Sequence, residues 1–530
     1  MITKICPISK TDFIVSDEDI KFYEKLGVPV PNISPEERTR HRFAFRNERT
    51  LYKDKCARCE SGMISMYRPG QDVPIYCQDC WWSDRWDSQD YAQDIDEKLD
   101  FFEQFKNLLN QVPRFNLRNR HMENCDYSNF GVANKNGYLC FSSWQCEDFY
   151  YSDYCISDKD VFDCTGTDKS ELCYECTDCQ NCFEVFFSQH SEQCRHSYFL
   201  KNCRNCEHCF GCMNLRNQKY QIFNKQVTRE AYENFVSETF PLTSQKVSEL
   251  KSQFLDFQRT QINRETPNIN CEDCEGSYLD HSQNCTESLD LVECQDCRFC
   301  IGNLKLKDCQ DVGMSMATEI AYNSVGIGNS FEIRCSCWLD QCRHVDYSFW
   351  LINCEHCFGC VGLRNAQYCI FNKQYSKEEY FKRRDKLIKQ MKENNTWGQF
   401  FPKDLSPFAY NETIAHAWYP LSKARAKEKD YQWIETKTDE PLEAPKTHYC
   451  QSCQKNYRLI EQELEFYDRY QLPLPTNCPN CRYKTRQVLR NPRRLWDRDC
   501  AICAKSMRVT FSPERPEKVY CEACFLKEVY

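Results

Sequence analysis

Asn205-Cys-Glu-His-Cys-Phe-Gly-Cys212 recurs 148 positions later as Asn353-Cys-Glu-His-Cys-Phe-Gly-Cys360. Gln193-Cys-Arg-His196 returns at the same offset as Gln341-Cys-Arg-His344, and Ile222-Phe-Asn-Lys-Gln226 as Ile370-Phe-Asn-Lys-Gln374. One offset shared by three segments is a duplication, and repeats decide the fold before any single element does. The middle of the chain is therefore two copies of a Cys-rich unit, 119–227 and 267–375, each with 14 cysteines.

Within the first copy, Cys146, Cys155, Cys164, Cys173 and Cys182 recur every nine residues, and a longer period of 30 links Cys146, Cys176 and Cys206. Such periods predict a β-solenoid-like stack whose turns bury their inner faces on one another. The intervening Tyr, Phe, Asn and Asp suit short strands and turns. Cys173/176/179/182 and Cys203/206/209/212 have ligand-like spacing, but the ferredoxin run needs a final gap of three and a proline, both missing here. In the second copy Cys173, Cys176, Cys179 and Cys182 become Ala321, Ser324, Ile327 and Ser330. Those residues share small size or apolarity, as buried cysteine does, and not metal chemistry. The reading is a packed cysteine ladder, with zinc or an iron–sulfur cluster inside it as alternatives. His196/His344 and His208/His356 also recur beside cysteines, so a mixed Cys/His zinc site competes with ordinary hydrogen-bonded histidines.

A second duplication joins the chain ends. Shifted by 444, Cys6 falls on Cys450, Cys56 on Cys500, Cys59 on Cys503, Cys77 on Cys521 and Cys80 on Cys524. Cys56-x2-Cys59 with Cys77-x2-Cys80, Cys450-x2-Cys453 with Cys478-x2-Cys481, and Cys500-x2-Cys503 with Cys521-x2-Cys524 each pair two knuckles. A two-residue gap turns both thiolates of a knuckle to one ion, and two knuckles complete a tetrahedral four-thiolate site of structural zinc. The counterpart of Cys450/Cys453/Cys478/Cys481 is Cys6/Ser9/Ser34/Glu37, which has lost three thiolates. About three Zn2+ per chain are expected, with metal binding supplying folding energy to small modules.

Arg38, Arg42, Arg46 and Arg49 match Arg482, Arg486, Arg490 and Arg493. The spacing predicts one helix face, with Pro492 ending or kinking the second helix. The stripe reads either as a face paired with the chain's acids or as phosphate contacts to RNA or DNA.

Cys450-Gln-Ser-Cys453, Glu465-Phe-Tyr467 and Cys478-Pro-Asn-Cys481-Arg482 resemble the probable zinc-ribbon domain family, over about 40 residues. The N-terminal copy departs from that pattern at three ligands. The whole layout is similar to a Cys-rich protein family of candidate-phyla bacteria. Some of those proteins carry a CoA-transferase label, which no GxGxxG fingerprint supports here.

The fold expectation is mixed and mainly β. A zinc module over 1–90 has a degenerate first half-site. A helical linker follows (91–118), then repeat copy 1 (119–227), a second helical linker (228–266) and repeat copy 2 (267–375). A helical and irregular connector (376–448) leads to a double zinc module of zinc-ribbon or treble-clef type (449–530). Asp96–Leu109, Val247–Phe257 and Lys377–Lys392 read as amphipathic helices, with Thr228 and Ser376 as N-cap residues.

The net charge of -9 argues against a generic DNA-coating protein. No run of 18 apolar residues suggests a membrane span, and Met1-Ile-Thr-Lys-Ile-Cys-Pro lacks a signal peptide's apolar stretch. An odd total of 41 cysteines in a reducing cytoplasm implies ligands and buried thiols in place of disulfides. No HExxH, GxSxG or P-loop motif occurs. The expected function is a zinc-binding, non-enzymatic cytoplasmic interaction protein whose partner is a protein, RNA or DNA. The alternatives are a redox or metal-cluster protein and a carbohydrate-active enzyme with Tyr150, Tyr151 and Tyr154 lining a sugar groove.

Overall fold

From His121 to Phe223 every third residue is left-handed, with φ between +46° and +69°. L-residues visit this region at a cost, and Asn, Asp and Gly visit it most readily. The sequence supplies them immediately before many cysteines, as in Asn124-Cys125, Asp163-Cys164, Asn202-Cys203 and Gly211-Cys212. Each such residue turns the chain, so a side is three residues long.

Twelve residues bring the chain back beside itself, in parallel. Glu123 pairs with Lys135, Lys135 with Glu147, Glu147 with Lys159 and Lys159 with Glu171. Glu171 then pairs with Phe183, Phe183 with Arg195, Arg195 with Glu207 and Glu207 with Lys219. The second copy keeps the step from Gln295 through Lys307, Glu319, Phe331, Arg343 and Glu355 to Gln367. The structural period is thus twelve; the nine- and thirty-residue cysteine intervals are multiples of its three-residue side. The second copy opens with an irregularity at Glu275/Gly276. A Cβ on Gly276 would stand 2.1 Å from the Ser288 carbonyl oxygen, so only glycine fits there.

The computed structural model describes residues 1–435 and 447–529. The chain is mixed, with strands and helices, and divides into two units. One unit joins Met1–Leu117 to Pro267–Ile434; the other joins Arg118–Thr266 to Glu435–Tyr530. The connector expected over 376–448 falls partly at 436–446, outside the described residues.

Inside each copy the residue that follows a left-handed turn points inward. Cys140, Cys155, Cys164, Cys173, Cys176, Cys179 and Cys194 are buried in the first copy. Leu291, Val312, Ala321, Ile327, Ile333 and Leu351 share the second core with Cys297, Cys300 and Cys357. A four-sided turn with three-residue sides leaves a narrow interior, which explains why small and medium side chains interchange there. Ala321 and Ile327 fill the places of Cys173 and Cys179 at 0% and 1% exposure. Thiols donate to carbonyls two residues back and nine ahead, as Cys164 Sγ does to Phe162 at 3.4 Å and to Cys173 at 3.5 Å.

The expected helices are present as Phe101–Gln111, Ser244–Thr260 and Lys377–Glu393. Asp100 and Glu103 form a capping box on the first, and Ser376 accepts the Glu379 N–H on the third. Thr228 caps Arg229–Thr239 by accepting from Ala231 N.

In the first unit, helix Pro35–Phe43 lies on strands Lys307–Gly313 and Glu319–Val325. A Cβ on Gly313 would come within 2.3 Å of the Phe43 ring, so this glycine lets the helix sit close. In the second unit, Phe466 stacks on Phe162 at 4.1 Å within an aromatic cluster that includes Tyr150, Tyr151, Tyr174 and Phe186. Tyr150 and Tyr151 are therefore core residues, and Tyr151 donates to Glu463 at 2.7 Å. The sugar-groove reading of these two tyrosines is overturned by that burial.

Candidate metal centres

Each expected four-cysteine set comes together. Cys56/Cys59/Cys77/Cys80, Cys450/Cys453/Cys478/Cys481 and Cys500/Cys503/Cys521/Cys524 have all four sulfurs within 4.8 Å of one another. Cys59 and Cys77 Sγ are 3.8 Å apart, Cys453 and Cys478 3.7 Å, and Cys503 and Cys521 3.7 Å. A tetrahedron with metal–sulfur bonds of about 2.3 Å has edges of about 3.8 Å, so these sulfurs can hold a metal ion.

Local sequence builds the geometry. The first cysteine pair of each site sits in a hairpin turn: Tyr52–Lys55 with Gly62–Ser65, His448–Tyr449 with Asn456–Tyr457, and Trp496–Asp499 with Ser506–Val509. The residue after the second cysteine is left-handed in all three, at Glu60, Gln454 and Ala504. Backbone N–H groups then aim at sulfur: Cys77 N reaches Cys56 Sγ at 3.3 Å, Cys478 N reaches Cys450 Sγ at 3.2 Å, and Cys521 N reaches Cys500 Sγ at 3.3 Å. Cys478 caps helix Pro479–Leu489, and Cys521 immediately precedes helix Glu522–Val529, positions that favour negative charge. Burial opposes ionisation of Cys450, but N–H donors from Cys478, Cys453 and Ser452 outweigh it and bring the thiol down to about 6. Cys500 reaches about 6 in the same way, against burial, through N–H groups of Cys503, Cys521 and Ile502.

The degenerate half-site keeps the turn without the ligands. Ile2–Ile5 pairs with Asp12–Val15, Lys10 is left-handed, and Lys10 N donates to Cys6 at 2.9 Å, as Glu60 N does to Cys56. Glu37, at the place of Cys481, joins Arg40 and also Lys429 at 2.8 Å.

Among the described residues no central group of three or more cysteines gathers its sulfurs as the terminal sets do. Burial raises Cys140, Cys155 and Cys337 well above the usual thiol range. All 41 cysteines are free. The mixed Cys/His expectation is also corrected: His344 and His356 gather with Glu355, not with a cysteine.

The arginine stripes turn inward. Arg38 Nη2 is 2.8 Å and Arg42 Nη1 3.1 Å from Asp311; Arg482 Nε is 3.2 Å and Arg486 Nη1 2.5 Å from Asp163. Arg46 joins Glu48 and lies over the Trp338 ring, while Arg490 meets Asp178 at 2.9 Å. Arg49 and Arg493 are half-buried. Nor does one helix carry a stripe: the helices end at Phe43 and Leu489, before Arg46 and Arg490. Pro492 disfavours helical backbone just ahead of it. Guanidiniums committed to buried carboxylates are not placed to contact phosphate.

Compared with protein-family models and with curated proteins, the chain matches none. Among the described residues no helix is long and apolar enough to cross a membrane.

Proposed function

We propose that the protein is a zinc-stabilised, non-enzymatic interaction scaffold in which zinc-ribbon-like modules brace two β-solenoid units. The observation that carries this reading is the closure of three four-cysteine groups at tetrahedral spacing. Four thiolates leave no position for substrate, so such ions hold chain and do not catalyse. All-cysteine tetrahedra suit zinc or iron, and closed four-thiolate coordination at this knuckle spacing is that of structural zinc. The resemblance of Cys450–Arg482 to zinc-ribbon domains supports the same assignment. A reducing, cytoplasmic setting suits a chain whose thiols are all free.

The long parallel ladders would offer the interaction surface, and a protein partner is favoured over nucleic acid because the arginine stripes face carboxylates. Elemental analysis of anaerobically purified protein, dialysed against metal-free buffer, tests the metal assignment. About three zinc and no iron are expected. Iron, or a visible cluster chromophore, would overturn it in favour of a redox or metal-cluster protein.

A further inference from the structure

His344, Glu355 and His356 each place one ligand atom within 4.8 Å of the other two. The twelve-residue step creates this arrangement. His344 and His356 occupy left-handed corners one turn apart, so their rings stack with centroids 4.6 Å apart. Glu355, the neighbour of His356, brings Oε1 to 3.7 Å from His356 Nε2. Glu332, one turn before His344, sits 2.9 Å from His344 Nδ1. A carboxylate there fixes the proton on Nδ1 and leaves the Nε2 lone pair for a ligand. His356 Nδ1 is buried and has no hydrogen-bond partner among the described residues. The site stays open to solvent, with side-chain exposures of 32% for His344, 17% for His356 and 39% for Glu355.

The first copy is an internal control. His196, Glu207 and His208 hold the corresponding places, and Glu184 meets His196 Nδ1 at 3.0 Å. There, however, Lys219 Nζ lies 2.6 Å from Glu207 Oε2, and the two rings stand 5.2 Å apart. The second copy has Gln367 in the place of Lys219. An ammonium on the carboxylate supplies the positive charge that a metal ion would bring; a neutral amide leaves the carboxylate open.

We propose that His344, His356 and Glu355 bind one divalent first-row transition-metal ion, and that Lys219 closes the equivalent place in the first copy. Two imidazoles and a carboxylate suit zinc, nickel, copper or iron, with solvent completing the shell. The ion takes one nitrogen from each imidazole, and the two rings turn out of their parallel stack to converge on it. This site is separate from the all-thiolate centres and does not depend on the scaffold reading.

Nickel titration by calorimetry on the full chain, with its thiolate-bound metal already in place, tests the assignment. Uptake of about one Ni2+ is expected for the unaltered chain. Gln367→Lys is expected to abolish it, Lys219→Gln to raise it to about two, and Glu332→Gln to weaken binding about 10- to 100-fold. Circular dichroism confirms that each variant is folded. No nickel uptake by the unaltered chain, or uptake unchanged in both Gln367→Lys and His356→Ala, would overturn the proposal.

Discussion

Asp163 and Asp311 hold the same place in the two Cys-rich copies, and each carboxylate is fully buried under two arginines that stand four residues apart. The arginines correspond in turn across the terminal duplication. Around them the ring contacts correspond as well: Tyr467 meets Tyr174 at 5.8 Å, and Tyr23 meets Tyr322 at 5.7 Å. One docking surface has thus been duplicated on both of its sides. Each terminal module uses it on the copy farther away in sequence, not on its neighbour.

Removing Asp311 takes the shared carboxylate from Arg38 and Arg42, whereas after loss of Asp163 Arg482 keeps Glu463 at 2.7 Å and Arg486 keeps Asp153 at 3.9 Å. Asp311→Ala is expected to cost about 3–5 kcal/mol, because buried charges lose their compensation, and Asp163→Ala less, because Glu463 still pairs Arg482. Urea unfolding of each variant measures this. A loss below about 1 kcal/mol in Asp311→Ala, the range of exposed ion pairs, would mean that Arg38 and Arg42 are solvated.

Metal removal should act on the terminal modules first. Cys500→Ala leaves three sulfurs around one ion and is expected to lower zinc content from about three to about two per chain. The hairpin Trp496–Asp499 with Ser506–Val509 should then lose amide-exchange protection, since its core is small. Unchanged zinc content would remove Cys500 from the ligand set.

The interior thiols should be chemically silent in the folded chain. An aromatic disulfide reagent is expected to leave Cys140, Cys155 and Cys176 unmodified until denaturant is added, because burial raises all three thiols. Cys173→Ala, which copies Ala321, should cost on the order of 1 kcal/mol. Cys173→Phe should cost more, about 1–3 kcal/mol or above, by overpacking a narrow interior. Thermal and urea unfolding rank the two. Rapid labelling of these thiols in the native chain would contradict the packed interior.

His41 gives a pH signature. Its ring meets Phe400 edge-on at 5.5 Å. Burial, and then the charges of Lys403 and Arg42, hold it down to about 3. An unfolded histidine titrates near about 6.5. The folded value is the lower one, so between these values the unfolded chain binds the extra proton. The stabilising contribution is complete above about pH 6.5 and falls as pH drops towards about 3. His41→Gln should flatten the loss of stability on acidification by up to about 1.4 kcal/mol per pH unit. Parallel profiles for the two proteins would show that His41 is solvated.

Sequence spacing by itself determined the three four-cysteine groups that can hold a metal ion. Cys-x2-Cys knuckles are local, and the left-handed residue that closes each turn follows its second cysteine directly, so chain geometry alone turns two sulfurs together. The duplications also stood in the sequence, and with them the loss of ligands at Ser9, Ser34 and Glu37 and the exchange of Cys173 for Ala321. Tertiary structure decided the twelve-residue period, because side length and turn closure depend on parallel pairing between residues that no local preference links. The signal was present in the recurrence of Asn, Asp or Gly before cysteine at intervals of three. Only tertiary structure decided the fate of Arg38, Arg42, Arg482 and Arg486. Helical spacing makes a basic stripe look the same whether water or a carboxylate faces it, and Asp311 and Asp163 lie more than 260 residues away in sequence. Turn closure also brought His344, Glu355 and His356 together, since a twelve-residue separation becomes a contact only after the chain has turned four corners.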